Sequence, residues 1–122
     1  VQREGETPRH FHGIVRAFQR LDPFGRGLAA YRLEAVPRLW HLSRTSDCRI
    51  FQDKSVKEIL TTLFQEHDVQ PVRWGSSVPT QKRPYCVQFN ETDLDFVQRL
   101  LEEVGCGYWF EHTENNHTLV IG

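Results

Sequence analysis

Apolar residues along this chain change their spacing twice, and the changes outline its elements. From His10 to Arg20, HFHGIVRAFQR, the spacing is two: Phe11, Val15 and Ala17 share one face, and His12, Ile14, Arg16 and Phe18 the other. Both faces carry bulk, which predicts a strand covered on both sides. Asp22-Pro23, with Gly25 and Gly27, marks a turn. Leu28 to Val36 alternates again, with Ala29, Tyr31, Leu33 and Ala35 set against Arg32 and Glu34, so the two runs predict an antiparallel hairpin. Pro37 ends the second run because it cannot donate to a ladder.

Arg38 to Lys54 shows neither strand nor helix spacing and reads as a polar connector anchored by Leu39, Trp40, Leu42, Ile50 and Phe51. Helical spacing begins at Ser55. Ser55 and Glu58 form a capping box, in which the hydroxyl accepts from an orphan backbone N–H and the carboxylate from the cap's own N–H. Val56, Ile59, Leu60, Leu63 and Phe64 make one apolar stripe. Burying each large side chain contributes about 1.5–3 kcal/mol, so packing fixes this helix, which should end near His67-Asp68. Val69 to Trp74 is a short extended run, residues 75–84 (GSSVPTQKRP) a loop, and Tyr85 to Phe89 a strand.

Thr92 opens a second helix, with Thr92 and Asp95 as a weaker capping box and Asp93 and Asp95 suited to the positive end of the dipole. Phe96, Val97, Leu100, Leu101 and Val104 form its stripe, and Gly105 supplies a left-handed stop. Gly107 to His112 and His117 to Ile121 read as a hairpin around TENN. The fold class is α+β: antiparallel strands with two packed amphipathic helices. The helices align, Ser55 with Thr92, Glu58 with Asp95, Ile59-Leu60 with Phe96-Val97, Leu63-Phe64 with Leu100-Leu101 and Glu66 with Glu103. A diverged duplication would give this match, but any two capped amphipathic helices look alike, and that is the preferred reading.

Composition narrows the function classes. With 15 basic and 16 acidic residues the net charge is −1, and the arginines are spread along the chain rather than clustered, which points away from nucleic acid. No apolar run is long enough to span a bilayer. The 122 residues contain no Met, so the chain reads as a piece cut from a longer protein. Three cysteines, Cys48, Cys86 and Cys106, suggest buried thiols rather than a disulfide framework.

Candidate chemistry is sparse. His10 and His12 share a strand face, as in paired metal ligands, but no third ligand follows, so two polar residues on one face is the preferred reading. Arg49 could lower the pKa of the Cys48 thiol, yet no motif ties His41 to it as a base. Glu102, Glu103, Glu111 and His112 lie where solvated charges would also fall. His112 and His117 flank a turn and could face each other as a pH-sensitive pair. No cofactor motif is present, and a structural or binding role is expected.

Three blocks carry a family resemblance: FHGIVRAF, then LEAVPRLWHLSRTSDCRIFQDKSVKEIL, then RPYCVQFNETDLDFVQRLLEEVGCGYWFEH. In that order, from about His10 to the end, they resemble the VgrG spike proteins of bacterial type VI secretion and, more loosely, the late control protein D tail hubs of contractile phages. The resemblance implies a fragment of a hub built from barrel-like β subdomains, with residues 1–50 a hairpin plus connector and 51–122 a two-helix/β part. It implies a homotrimer seated on inner-tube rings, baseplate proteins and effector or adaptor proteins as partners, and no cofactor. It also implies assembly in the bacterial cytoplasm followed by export. Two other classes compete: a glycan- or cell-wall-binding module using exposed indoles, and a hydrolase using His10, His12 and Cys48. Trp40 and Trp109 are expected to be substantially buried.

Overall fold

The computed structural model describes residues 4–23, 25 and 27–122. The first two strands, β1 (Ile14–Arg20) and β2 (Tyr31–Val36), form an antiparallel ribbon. Both begin later than their spacing suggests, and Phe24 and Arg26 of the expected turn lie outside the described residues. The expectation of a doubly covered β1 is overturned: Val15, Phe18, Tyr31 and Leu33 are all exposed. The register slips between Val15 and Ala17. That irregularity sets Val15 beside Ala35 and Phe18 beside Leu33, so residues that strict alternation assigns to opposite faces share one. The other face carries the Arg16–Glu34 ion pair.

Arg38 to Lys54 is not an irregular connector. A 3₁₀ helix spans Arg38–Arg44, and β3 spans Ser46–Ser55. In the 3₁₀ helix side chains three apart eclipse one another, and Leu39 and Leu42 are the pair that it buries. β3 pairs antiparallel with β5 (Lys82–Thr92), which begins three residues before the expected strand. Phe51 points into the core, but Ile50 is 65% exposed on the opposite face, so it does not anchor the segment inward. Residues 50 and 51 both lie in the middle of β3.

Each strand of this second ribbon runs directly into a helix. Helix α1 is Val56–Glu66 and α2 is Asp93–Glu103. Ser55 Oγ accepts from Glu58 N–H while Glu58 accepts from Ser55 N–H at 2.7 Å. Thr92 accepts from Asp95 N–H at 3.0 Å. Ile59, Leu60, Leu63 and Phe64 of α1 pack with Phe96, Val97, Leu100 and Leu101 of α2 in one core, with Leu39, Leu42 and Phe51. The third sheet has the order β4 (Val72–Trp74), β7 (His117–Ile121), β6 (Tyr108–His112). β6 and β7 form the expected hairpin; β4 joins β7 in parallel. None of the three sheets closes on itself among the described residues.

The likeness of the helices extends into the backbone. An offset of 37 residues relates Ser55 to Thr92 as caps, Asp53 to Asn90 as left-handed residues before them, and Asp68 to Gly105 as left-handed residues after the helices. The helix ends close identically: Val69 N–H donates to Phe64 C=O and Cys106 N–H to Leu101 C=O, at 2.8 and 2.9 Å. The offset carries β4 onto β6 as well. Capped helices alone do not require these shared strand kinks and following strands, and the match favours duplication.

Leu60→Asp places an unpaired charge at a fully buried position. It should cost about 4 kcal/mol or more and abolish cooperative thermal unfolding followed by circular dichroism. A near-native melting temperature would contradict this packing.

Candidate assembly surface

Two exposed apolar faces dominate the outside of the molecule. One is the β1–β2 face described above, where Phe18 and Tyr31 stack with ring centroids 5.5 Å apart. The other is the outer face of β3–β5. Strand alternation sends Phe51, Cys86 and Gln88 inward and Ile50, Tyr85, Val87 and Phe89 outward. Ile50 lies opposite Val87 in register, and Phe89 is 76% exposed. Two-stranded ribbons with one apolar side are marginal alone and gain stability when that side is covered.

Behind the second ribbon lies a buried polar node. Asp93, at the first position of α2, is 1% exposed. Its Oδ1 accepts from Gln88 Nε2 at 2.7 Å and from Arg49 at 3.3 Å. Its Oδ2 lies 2.6 Å from His67 Nε2. Arg49 also pairs with Glu66 at 2.8 Å and donates to Gln88 Oε1 at 3.2 Å. Glu66, His67 and Asp93 are close enough to hold a cation, but the Arg49 guanidinium already spans the two carboxylates there. The arrangement is an ion-pair network that joins β3, the end of α1, β5 and α2. Sequence reading missed it: Asp93 was assigned only to the helix dipole and Arg49 only to the thiol. No local signal marks it, because Arg49 and Asp93 lie 44 residues apart and β3 lacks apolar alternation.

The other predicted residues fall as follows. Cys86 and Cys106 are buried, but Cys48 is exposed, its Sγ accepting from Asn90 N–H. Asp47 pairs with Arg49 at 3.4 Å, and Glu111 pairs with Arg73. Glu103 binds Arg83 and Arg99, which hold its carboxyl below the usual range. His10 and His41 are exposed. His10, His12 and Cys48 do not form a ligand cluster among the described residues. Trp109, expected to be buried, is 49% exposed because its side of β6 faces away from the core. Trp40 is half-buried, with Arg16 and Arg44 over its ring at 5.4 and 5.3 Å. Trp74 is half-buried, with Lys57 over its ring. Among the described residues, no helix is long and apolar enough to cross a membrane.

The sequence profile of the phage tail baseplate hub (GPD) matches residues 1–122. The chain belongs to this family. This hub chain is 42% identical over 113 residues to the type VI secretion system spike protein VgrG1b of Pseudomonas aeruginosa, covering 93% of the chain and 15% of that relative. It is 39% identical over 119 residues to the actin cross-linking toxin VgrG1 of Vibrio cholerae, covering 98% of the chain and 11% of that relative. It thus spans a small part of the curated relatives it matches. A solved E. coli protein, c3393, is described as a type VI secretion component similar to the phage T4 tail proteins gp27 and gp5. It matches with a TM-score of 0.80 and 26% identity, over 93% of the chain and 32% of its own. The resemblance read from the three sequence blocks therefore holds across nearly the whole hub chain.

Arg49→Met in this hub segment would leave the Asp93 carboxylate buried with only His67 and Gln88. The variant should lose about 3 kcal/mol in urea denaturation, because one partner of a buried ion pair has been removed. A loss below about 1 kcal/mol would show that Asp93 does not depend on Arg49.

Proposed function

We propose that this chain is a structural segment of a type VI secretion spike hub, acting by assembly and not by catalysis. In this reading the two apolar ribbon faces are sealed by hub chain outside residues 1–122 and by neighbouring subunits, completing barrel-like subdomains. Residues 1–50 supply the hairpin and connector, residues 51–122 the two-helix body, and β3 runs through both. Three copies form a ring on the inner-tube rings, contact baseplate proteins, and carry effector or adaptor proteins. The assembly forms in the bacterial cytoplasm and leaves with the spike that punctures target membranes. Family membership supports the reading, and the exposed face formed by Ile50, Tyr85, Val87 and Phe89 carries it.

Light scattering on a longer chain that restores the rest of the spike tests this. The expected mass is that of a trimer at micromolar concentration, and a monomer would overturn the proposal. Ile50→Asp with Phe89→Asp should keep the melting temperature of the 122-residue chain, since surface changes shift stability by about 0.5 kcal/mol or less. The same pair should reduce trimer formation in the longer chain. Retained trimer would place the interface on another face.

The glycan-binding reading keeps one platform, the half-exposed indole of Trp109. Quenching of its fluorescence by cell-wall oligosaccharides would favour that reading; unchanged emission up to millimolar sugar would remove it.

A further inference from the structure

Three histidines from distant parts of the sequence meet where the β1–β2 ribbon joins the body. His12 precedes β1, His112 ends β6, and His117 begins β7. His117 is 3% exposed and His12 half-buried. The ring centroids of His12 and His117 lie 5.1 Å apart, and those of His112 and His117 6.2 Å apart.

The hydrogen bonds assign every proton in the group. Arg38 N–H donates to His117 Nε2 at 3.0 Å, so that nitrogen carries a lone pair. His117 must then bear its proton on Nδ1, which lies 2.8 Å from His12 Nδ1. His12 Nδ1 therefore accepts, and its ring proton sits on Nε2. The backbone N–H of His12 donates to His112 Nδ1 at 3.1 Å, which fixes a lone pair there as well. Each of the three rings thus uses its only lone pair as an acceptor in one connected set of bonds. A second proton on any ring occupies the nitrogen that accepts, and it deletes a bond and sets two donors against each other.

We propose that this histidine group is an acid-released latch, which holds the β1–β2 ribbon on the body while the His117 ring is neutral and frees it when that ring takes up a second proton. The groups facing His117 make its protonation unfavourable. Arg38 of the 3₁₀ helix presents its backbone N–H to His117 while its guanidinium holds Asn116 Oδ1 and Gln70 C=O. Phe110 of β6 meets the His117 ring edge-on at 6.0 Å. Phe11 meets His112 at 6.1 Å, with Arg9 over the Phe11 ring. None of these neighbours is acidic. Burial first, then the positive charge of Arg38 and the other two histidines, pushes His117 down from its usual 6.5 to about 4.

The sign follows from proton linkage. The released state binds the proton more tightly than the latched state, so the latch is at full strength above pH 6.5 and weakens as pH falls toward 4. With His117 returning to its usual 6.5 on release, the equilibrium at pH 5 shifts toward release by about 20-fold relative to pH 7. What the latch positions is the ribbon with its apolar face of Val15, Phe18, Tyr31 and Leu33. Acid would therefore change how that face is presented and leave the α1–α2 core intact.

Nuclear magnetic resonance on the 122-residue chain tests this directly. At pH 7.5 the side-chain nitrogens of His117 should show the Nδ1–H tautomer and those of His12 the Nε2–H tautomer. The β1–β2 amides should relax with the same tumbling time as α1 and α2. At pH 5 the β1–β2 amides should gain independent motion, while α1 and α2 do not change. His117→Gln retains an acceptor for Arg38 N–H without titrating, and should keep the ribbon attached at pH 5. An Nε2–H tautomer at His117, or ribbon relaxation identical at both pH values, would overturn the proposal whether or not the variant folds.

Discussion

The carboxylate of Asp93 constrains this structure more than any other single group. A buried charge is tolerated only where partners replace its hydration, and three elements supply them to this first residue of α2: Arg49 from β3, Gln88 from β5 and His67 at the end of α1. The Asp93 N–H donates to Thr45 C=O at 2.8 Å, so the chain just past the 3₁₀ helix is tied to the same residue. A slip of either strand by one residue would turn Arg49 or Gln88 to the outer face and strand the charge. Apolar packing of α1 on α2 would accept several registers; the polar node accepts one. In this protein the node sets the register, and the core supplies the bulk of the stability.

The node also marks where the two halves of the repeat have diverged. At the 37-residue offset, Arg49 corresponds to Cys86, Phe51 to Gln88, Val56 to Asp93 and His67 to Val104. Arg49, Gln88, Asp93 and His67 each have an apolar counterpart in or against the main core, whereas Glu66 corresponds to Glu103. The antiparallel pairing of β3 with β5 places the two sets on opposite sides of an approximate two-fold relation, in register to within one residue. One side of that relation is a dry contact and the other an ion-pair network. An apolar pair of sites is consistent with a simple repeat; converting one of them gives the two halves distinct ends, so α1 and α2 are no longer interchangeable.

The sequence made the helices legible because capping and stripe are local. Ser55, Glu58, Thr92 and the left-handed Gly105 act within a turn of their own positions, and their neighbours in sequence reveal them. β3 was illegible for the opposite reason. Its residues SDCRIFQDKS bury only Phe51 and Ser55, so the strand spacing that apolar residues usually display is absent. Its structure is supplied by β5, some forty residues away, and by Arg49 reaching a carboxylate on another helix. Ile50 failed as an anchor because bulk does not reveal which side of a ribbon a residue takes. Val15 and Phe18 were split between faces because an irregularity in register leaves no mark in hydrophobic spacing. The node itself could not be read, since its charges acquire meaning only when the fold brings them together.

What remains exposed is then the part of the molecule that residues 1–122 leave uncovered. The α1–α2 core, the node and the β4–β7–β6 sheet close over one another, and no buried side-chain nitrogen or oxygen among the described residues lacks a hydrogen-bond partner. The two ribbons do not close. Each buries one side or neither, and each shows a row of large apolar groups, Phe18 with Tyr31 and Leu33 on one and Phe89 with Tyr85 and Ile50 on the other. A monomer selected to be soluble alone places charge at such positions. Here polar residues occupy the reverse of the first ribbon, as in the Arg16–Glu34 pair, while its opposite side stays apolar. That asymmetry, apolar on one side and ion-paired on the other, is the pattern of a ribbon face suited to a second layer.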